Sequence, residues 1–137
     1  MRVLLDTNVL LDIYLNRMQF ASAFHILQAQ KENQIQGYIS ASSLTDIYYI
    51  ARRQKGADIA REAVRLSLDT FGICAVNGRL LEEAYAVMGK DFEDDLQIAS
   101  AQMCDLDVIV TRDKGDFEHS PLPVCTPDEL LQEIKNE

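Results

Sequence analysis

The chain reads as an α/β fold, a parallel sheet of four to five strands with helices packed on both of its faces. Two observations predict this. Short strand-like runs alternate with longer stretches of helical periodicity along all 137 residues. The first such run, Val3-Leu4-Leu5, is continuously apolar instead of alternating, as a strand buried on both faces must be.

Asp6 ends that first run. Thr7 and Asn8 follow as helix-start residues, and Val9, Leu10, Leu11, Ile13, Tyr14 and Leu15 then form a largely apolar helix. Residues Gln19 to Gln34 carry apolar side chains at helical spacing and end in the polar QKENQ. A second strand is expected over Gln36–Ser40, then helices over Ser42–Arg53 and Ala57–Asp69. Phe71–Val76 reads as the third strand, and Asn77 as the cap of a helix over Arg79–Met88. Asp94–Cys104 is apolar on most of its circumference and rich in Ala and Ser, which predicts a helix buried against the sheet. Asp107–Thr111 is the fourth strand and Leu122–Cys125 a short fifth. Thr126-Pro127-Asp128-Glu129 is a capping box with proline in the first turn, opening a last helix that runs to about Lys135.

Length and composition bound the class. A chain of 137 residues, 47% hydrophobic and 26% charged, makes one domain spanning residues 1–137, with a real core and no repeat or linker. No apolar run is long enough to cross a bilayer, and Arg2 leads into the first strand without a signal-peptide pattern, so no membrane and a cytoplasmic location are expected. Cys74, Cys104 and Cys125 are odd in number and widely spaced, and read as small hydrophobes in a reducing compartment. The net charge of −9 argues against broad electrostatic binding to nucleic acid, unless several acids gather around divalent cations and are neutralised there.

The acids recur at telling places. Asp6 stands at the carboxyl end of the first strand, where open α/β sheets place their ligands. Asp46 lies one turn into the helix after the second strand, Asp94 and Asp95 begin the buried helix, and Asp113 and Asp116 follow the fourth strand. All of them lie within reach of one edge of a parallel sheet. Taken singly they have plain explanations as a helix cap, a solvated acid, helix-start acids and turn residues. Taken together without cations they would repel and raise one another's pKa values; with Mg²⁺ or Mn²⁺ they form a hard-oxygen site.

The start VLLDTNVLLD, the SSLTDIYYI helix, DFEDDLQIASA and IVTRDKGDF resemble, in order and spacing, the successive motifs of PIN-domain ribonucleases. The likeness is greatest to small bacterial stand-alone members, which include the VapC-like toxins of toxin–antitoxin pairs, and it covers essentially the whole chain. It implies a three-layer α/β/α sandwich and a Mg²⁺- or Mn²⁺-dependent endoribonuclease that cleaves by metal-activated water. Carried over by position, Asp6 is the first acid, Asp94 the third, and Asp113 or Asp116 the fourth. Asn8 and Thr111 match polar residues lining the pocket. Asp46 falls where the family more often has Glu; one methylene shorter, it is expected near the metal or behind a water. Asp95 stands where many relatives have a small apolar residue, either as an extra ligand or as a helix-start acid. Arg52, Arg53 and Lys55, with Arg112, Lys114 and Arg17, are the candidates for contact with substrate phosphate. The resemblance implies an RNA substrate and admits an antitoxin protein and a homodimer as partners.

Other α/β phosphate chemistry fits less well. A dehalogenase-like phosphatase needs an Asp two residues after the first, where Asn8 stands, and a phospho-receiver needs acids beside Asp6, where Leu4 and Leu5 stand. The remaining rival is a PIN-like binding or regulatory module whose acidic site has decayed. His25 and His119 lie off the motifs and read as a helix-face and a loop residue.

Overall fold

The computed structural model describes residues 1–137. In chain order the elements are β1 (Arg2–Leu5), α1 (Thr7–Tyr14), α2 (Phe20–Lys31), β2 (Gln36–Ser40), α3 (Ala41–Lys55), α4 (Ala57–Thr70), β3 (Gly72–Cys74), α5 (Gly78–Val87), α6 (Phe92–Met103), β4 (Val108–Val110), a short 3₁₀ helix (Lys114–Phe117), β5 (Val124–Cys125) and α7 (Pro127–Lys135). The five strands are all parallel, in the order β3-β2-β1-β4-β5. The expected three-layer α/β/α architecture is therefore the one observed.

β1 is central, and its apolar run explains why. Val3 and Leu5 face one layer with Leu10, Ile39, Ile47, Val110 and Leu130, while Leu4 faces the other with Ile98, Ile109 and Phe117. Successive strand residues point to opposite faces, so a strand without polar residues can only sit where both faces are covered. Helices α1 to α4 and α7 contribute to the first layer, and α6 with the 3₁₀ helix to the second.

The order of crossing sets the site. From β1 the chain moves outward to β2 and β3, then returns past β1 to place β4 on its other side. This reversal leaves the carboxyl ends of β1 and β4 as neighbours, paired Leu5 with Val110, and the Asp6 amide donates to the Val110 carbonyl at 2.9 Å. In open α/β sheets such a switch point is where ligands bind.

Several boundaries differ from the sequence expectation. β3 is only Gly72–Cys74, and β5 only Val124–Cys125, because edge strands keep pairing on one side alone. Gly72 is required there: a Cβ would run into the ring of its neighbour Tyr38. Helix α6 begins two residues before Asp94, since Asp91 accepts from the Glu93 and Asp94 amides and caps it. At α7 the capping box forms as expected, with Thr126 and Glu129 exchanging side-chain and backbone bonds. All three cysteines are unpaired, Cys74 buried and the other two half-buried.

Leu4→Ala, at the centre of β1, is expected to cost about 2–5 kcal/mol of stability. Urea unfolding measures this, and a loss below about 1 kcal/mol would contradict burial of β1 on both faces.

Candidate metal centre

Asp6 is buried, at 4% exposure, and both of its carboxylate oxygens are held by neutral donors. Gln97 Nε2 donates to Oδ1 at 2.8 Å, and Thr111 Oγ1 donates to Oδ2 at 2.8 Å. Asp6 occupies the N-cap position of α1, its carbonyl accepting from the Val9 amide, but its side chain makes no cap bond, so capping does not account for the carboxylate. Thr111 Oγ1 in turn accepts from the Asp113 amide at 3.0 Å, which ties the loop after β4 to Asp6. Phe117, buried in the second layer, anchors the far end of that loop.

The other acids surround this pair in a graded way. Glu93 and Asp94, in the first turn of α6, and Asp46 on α3 are half-buried, while Asp113 and Asp116 are exposed. Asp6 lies within electrostatic range of Asp113 and Asp94, Asp94 of Asp116, and Glu93 of Asp6, Asp94 and Asp46. Carboxylate oxygens of Asp91, Glu93 and Asp94 lie within 4.8 Å of one another. The structure thus brings Asp6, Asp46, Asp94, Asp113 and Asp116 to one crevice at the carboxyl edge of the sheet.

The crevice is electrostatically uncompensated. Burial raises the pKa of Asp6 above its ordinary value, and burial likewise raises that of Asp46. Burial, then the neighbouring Asp6, Asp94 and Asp46, pushes Glu93 up to about 8. Burial, with Asp91, Asp6 and Asp116, pushes Asp94 up to about 6. The nearby bases are engaged elsewhere. Arg112 Nη1 binds Asp12 Oδ1 at 2.9 Å, its Nε makes only a long ion pair with Asp113 Oδ2 at 3.8 Å, and Lys114 binds Glu129. A set of oxygen donors with excess negative charge, met by a single long ion pair at Asp113, fits a hard divalent cation.

Not every expected residue joins the cluster. Asp95 is buried and turned to the α5–α6 loop, where it accepts from the Gly89 amide at 3.0 Å. A Cβ at position 89 would collide with its carboxylate, so Gly89 and Asp95 serve each other and Asp95 is a loop support. Asn8 is half-buried in the first turn of α1 and makes no side-chain hydrogen bond. Arg52 is exposed in the last turn of α3 and forms no ion pair. Arg112 is held by Asp12, which is 1% exposed.

Three residues escaped the sequence reading. Glu93 lies beside Asp94 and was masked by the helix-start explanation. Gln97 was a visible signal, a polar residue in the buried stripe of an Ala- and Ser-rich helix, one turn beyond Glu93. Asp12 was another, an acid inside VLLDIYL.

A family model described as the PIN domain matches residues 2–115, and the chain belongs to the PIN-domain family. Among solved structures it is similar to a toxin–antitoxin complex from Klebsiella pneumoniae at 26% identity, covering 91% of this chain and 97% of that one, with a TM-score of 0.69. Two more distant likenesses show the fold. VapBC2 from Rickettsia felis, solved bound to a DNA fragment from its promoter, shares 16% identity over 92% of this chain and 98% of that one, at a TM-score of 0.73. VapC20 of Mycobacterium tuberculosis, a sarcin–ricin-loop-cleaving toxin, shares 15% over 78% and 86%, at 0.65. No curated protein matches the chain's sequence.

Folding raises the pKa of Glu93 from 4.5 to about 8 and that of Asp94 from 3.8 to about 6. The folded state therefore binds these protons more tightly than the unfolded chain, and stability is lost as pH rises. Without divalent cations, the melting temperature is expected to fall between about pH 4 and pH 8, and Asp94→Asn to flatten the lower half of that slope. Arg112→Met is expected to cost about 1–3 kcal/mol at neutral pH by leaving buried Asp12 unpaired. That loss should shrink on acidification, as Asp12 protonates; urea unfolding at two pH values checks it.

Proposed function

We propose that this chain, acting as a single domain over residues 1–137, is a Mg²⁺- or Mn²⁺-dependent endoribonuclease and the toxin of a toxin–antitoxin pair. The observation that carries the proposal is the gathering of Asp6, Asp94, Asp113 and Asp116 at the β1–β4 switch point, where the one basic contact is a long ion pair from Arg112 to Asp113 at 3.8 Å. These four acids would hold the cation, with Asp46 beside it or behind a water. The bound ion supplies Lewis acidity, which lowers the pKa of water and offsets charge on the phosphate oxygens.

The chain's own residues do the positioning. Gln97 and Thr111 each take one lone pair of Asp6, leaving its remaining lone pairs for the crevice. Thr111 also sets the start of the loop that carries Asp113 and Asp116. Excluding water around Asp6 strengthens every electrostatic interaction made there. Asn8 lines the approach from α1, and Arg112 and Arg52 are the bases that would meet RNA phosphates. Arg112 keeps about a third of its side chain exposed while bound to Asp12.

Support for a protein partner comes from the Klebsiella pneumoniae likeness, described as a toxin–antitoxin complex. We extend that to an antitoxin for this chain, and place the protein in the cytoplasm; a homodimer is a further expectation. No helix is long and apolar enough to cross a membrane.

Purified protein incubated with single-stranded and structured RNA in Mn²⁺ is expected to cleave it, leaving 5′-phosphate ends. EDTA and Asp6→Asn or Asp94→Asn should lower the rate by about 100-fold or more, as loss of a group acting on the reacting centre does. Intact RNA in every Mn²⁺ condition, together with a melting temperature indifferent to Mn²⁺, would favour a binding module with a decayed site.

A further inference from the structure

Gln97 is fully buried, and its amide points into the acidic crevice. Nε2 donates to Asp6 Oδ1 at 2.8 Å and to Glu93 Oε1 at 3.1 Å, so both N–H bonds of one amide are spent on carboxylates. The other end of the same amide, Oε1, is buried with no hydrogen-bond partner. An orphaned acceptor is a net cost, and rotating the amide would only set its oxygen against the acids. The fold thus tolerates an unpartnered carbonyl in order to keep a neutral donor between Asp6 and Glu93.

Structural roles account poorly for Glu93. It sits in the first turn of α6, where solvent is at hand, yet its side chain is drawn inward toward three further acids, Asp6, Asp46 and Asp94. No Lys, Arg or His pairs with it. Its carboxylate oxygen lies with those of Asp91 and Asp94 inside 4.8 Å. Ligands on opposite sides of a hard cation are separated by about 4–5 Å, twice the usual metal–oxygen distance. That spacing suits groups sharing one ion.

We infer that Glu93 is a further ligand of the divalent cation and that Gln97 is the positioning residue that holds Glu93 and Asp6 in one coordination shell. This rests on the proposed metal-dependent function and adds two residues to it. The chemistry explains the choice of glutamine. Glu at position 97 would add repulsion, and Lys would neutralise the acids and displace the ion. An amide donor orients both carboxylates and leaves their charge intact.

The test is a titration with Mn²⁺ alone, followed by calorimetry and by melting temperature, on wild type, Glu93→Gln and Gln97→Met. Glu93→Gln is expected to weaken Mn²⁺ binding about tenfold while raising the melting temperature of the metal-free protein, because folding no longer has to protonate or crowd an acid at that position. A merely structural Glu93 would lower that temperature instead, and such a result overturns the inference. Gln97→Met is expected to weaken Mn²⁺ binding about tenfold, as lost support of a ligand does. Should it fail to fold, Gln97→Asn withdraws the amide from both acids at a smaller change in volume. Wild-type affinity in Glu93→Gln rejects the ligand, and wild-type affinity in the position-97 variant rejects the positioning role. A wild type that ignores Mn²⁺ removes the proposed function itself, and this inference with it.

Discussion

Like charges crowded into a half-buried crevice are what the rest of this structure has to hold in place. Asp6 sits under the edge of the sheet with Glu93, Asp94 and Asp46 around it, and no basic side chain answers them. Left to themselves such groups would splay into water. They stay because each is mounted on an element whose apolar side is locked in a core: Asp6 after β1, Glu93 and Asp94 on α6, Asp46 on α3. Burial of those apolar faces is worth far more than the repulsion costs.

The loop after β4 shows how rigidity reaches the exposed acids. Thr111 binds Asp6, its hydroxyl also receives the Asp113 amide, and Phe117 fills the second core layer. Between these anchors Arg112 reaches back to buried Asp12 on α1. The loop is therefore fixed at both ends and in its middle, although Asp113 and Asp116 themselves face solvent. Asp95 does a similar service for the α5–α6 connection through Gly89. The acid that the sequence left open between an extra ligand and a helix-start residue thus braces the segment that leads into α6.

Net charge and local charge answer different questions. A surplus of nine negative charges opposes long-range attraction to RNA. It says little about a crevice whose own acids would, on the proposed function, be neutralised by a bound cation. The acidic balance and a nuclease function are compatible because the field that would matter at the site is set within a few ångströms, by the acids gathered there and any cation they bind.

Much of the architecture was legible in residue order. The apolar run Val3–Leu5 announced a central strand, the capping box Thr126–Glu129 a last helix, and the placement of Asp6, Asp94, Asp113 and Asp116 a shared edge. These are local patterns, and period, capping and strand-end position act over a few neighbouring residues. What only the tertiary structure decided is which side chains answer one another across the chain. Gln97 meets Asp6 over 91 residues of sequence, Arg112 meets Asp12 over 100, and adjacent Asp94 and Asp95 part company, one to the crevice and one to Gly89. The physical reason is geometric: successive helix residues point about 100° apart, and only the packing of α6 on the sheet determines which of them faces the acids.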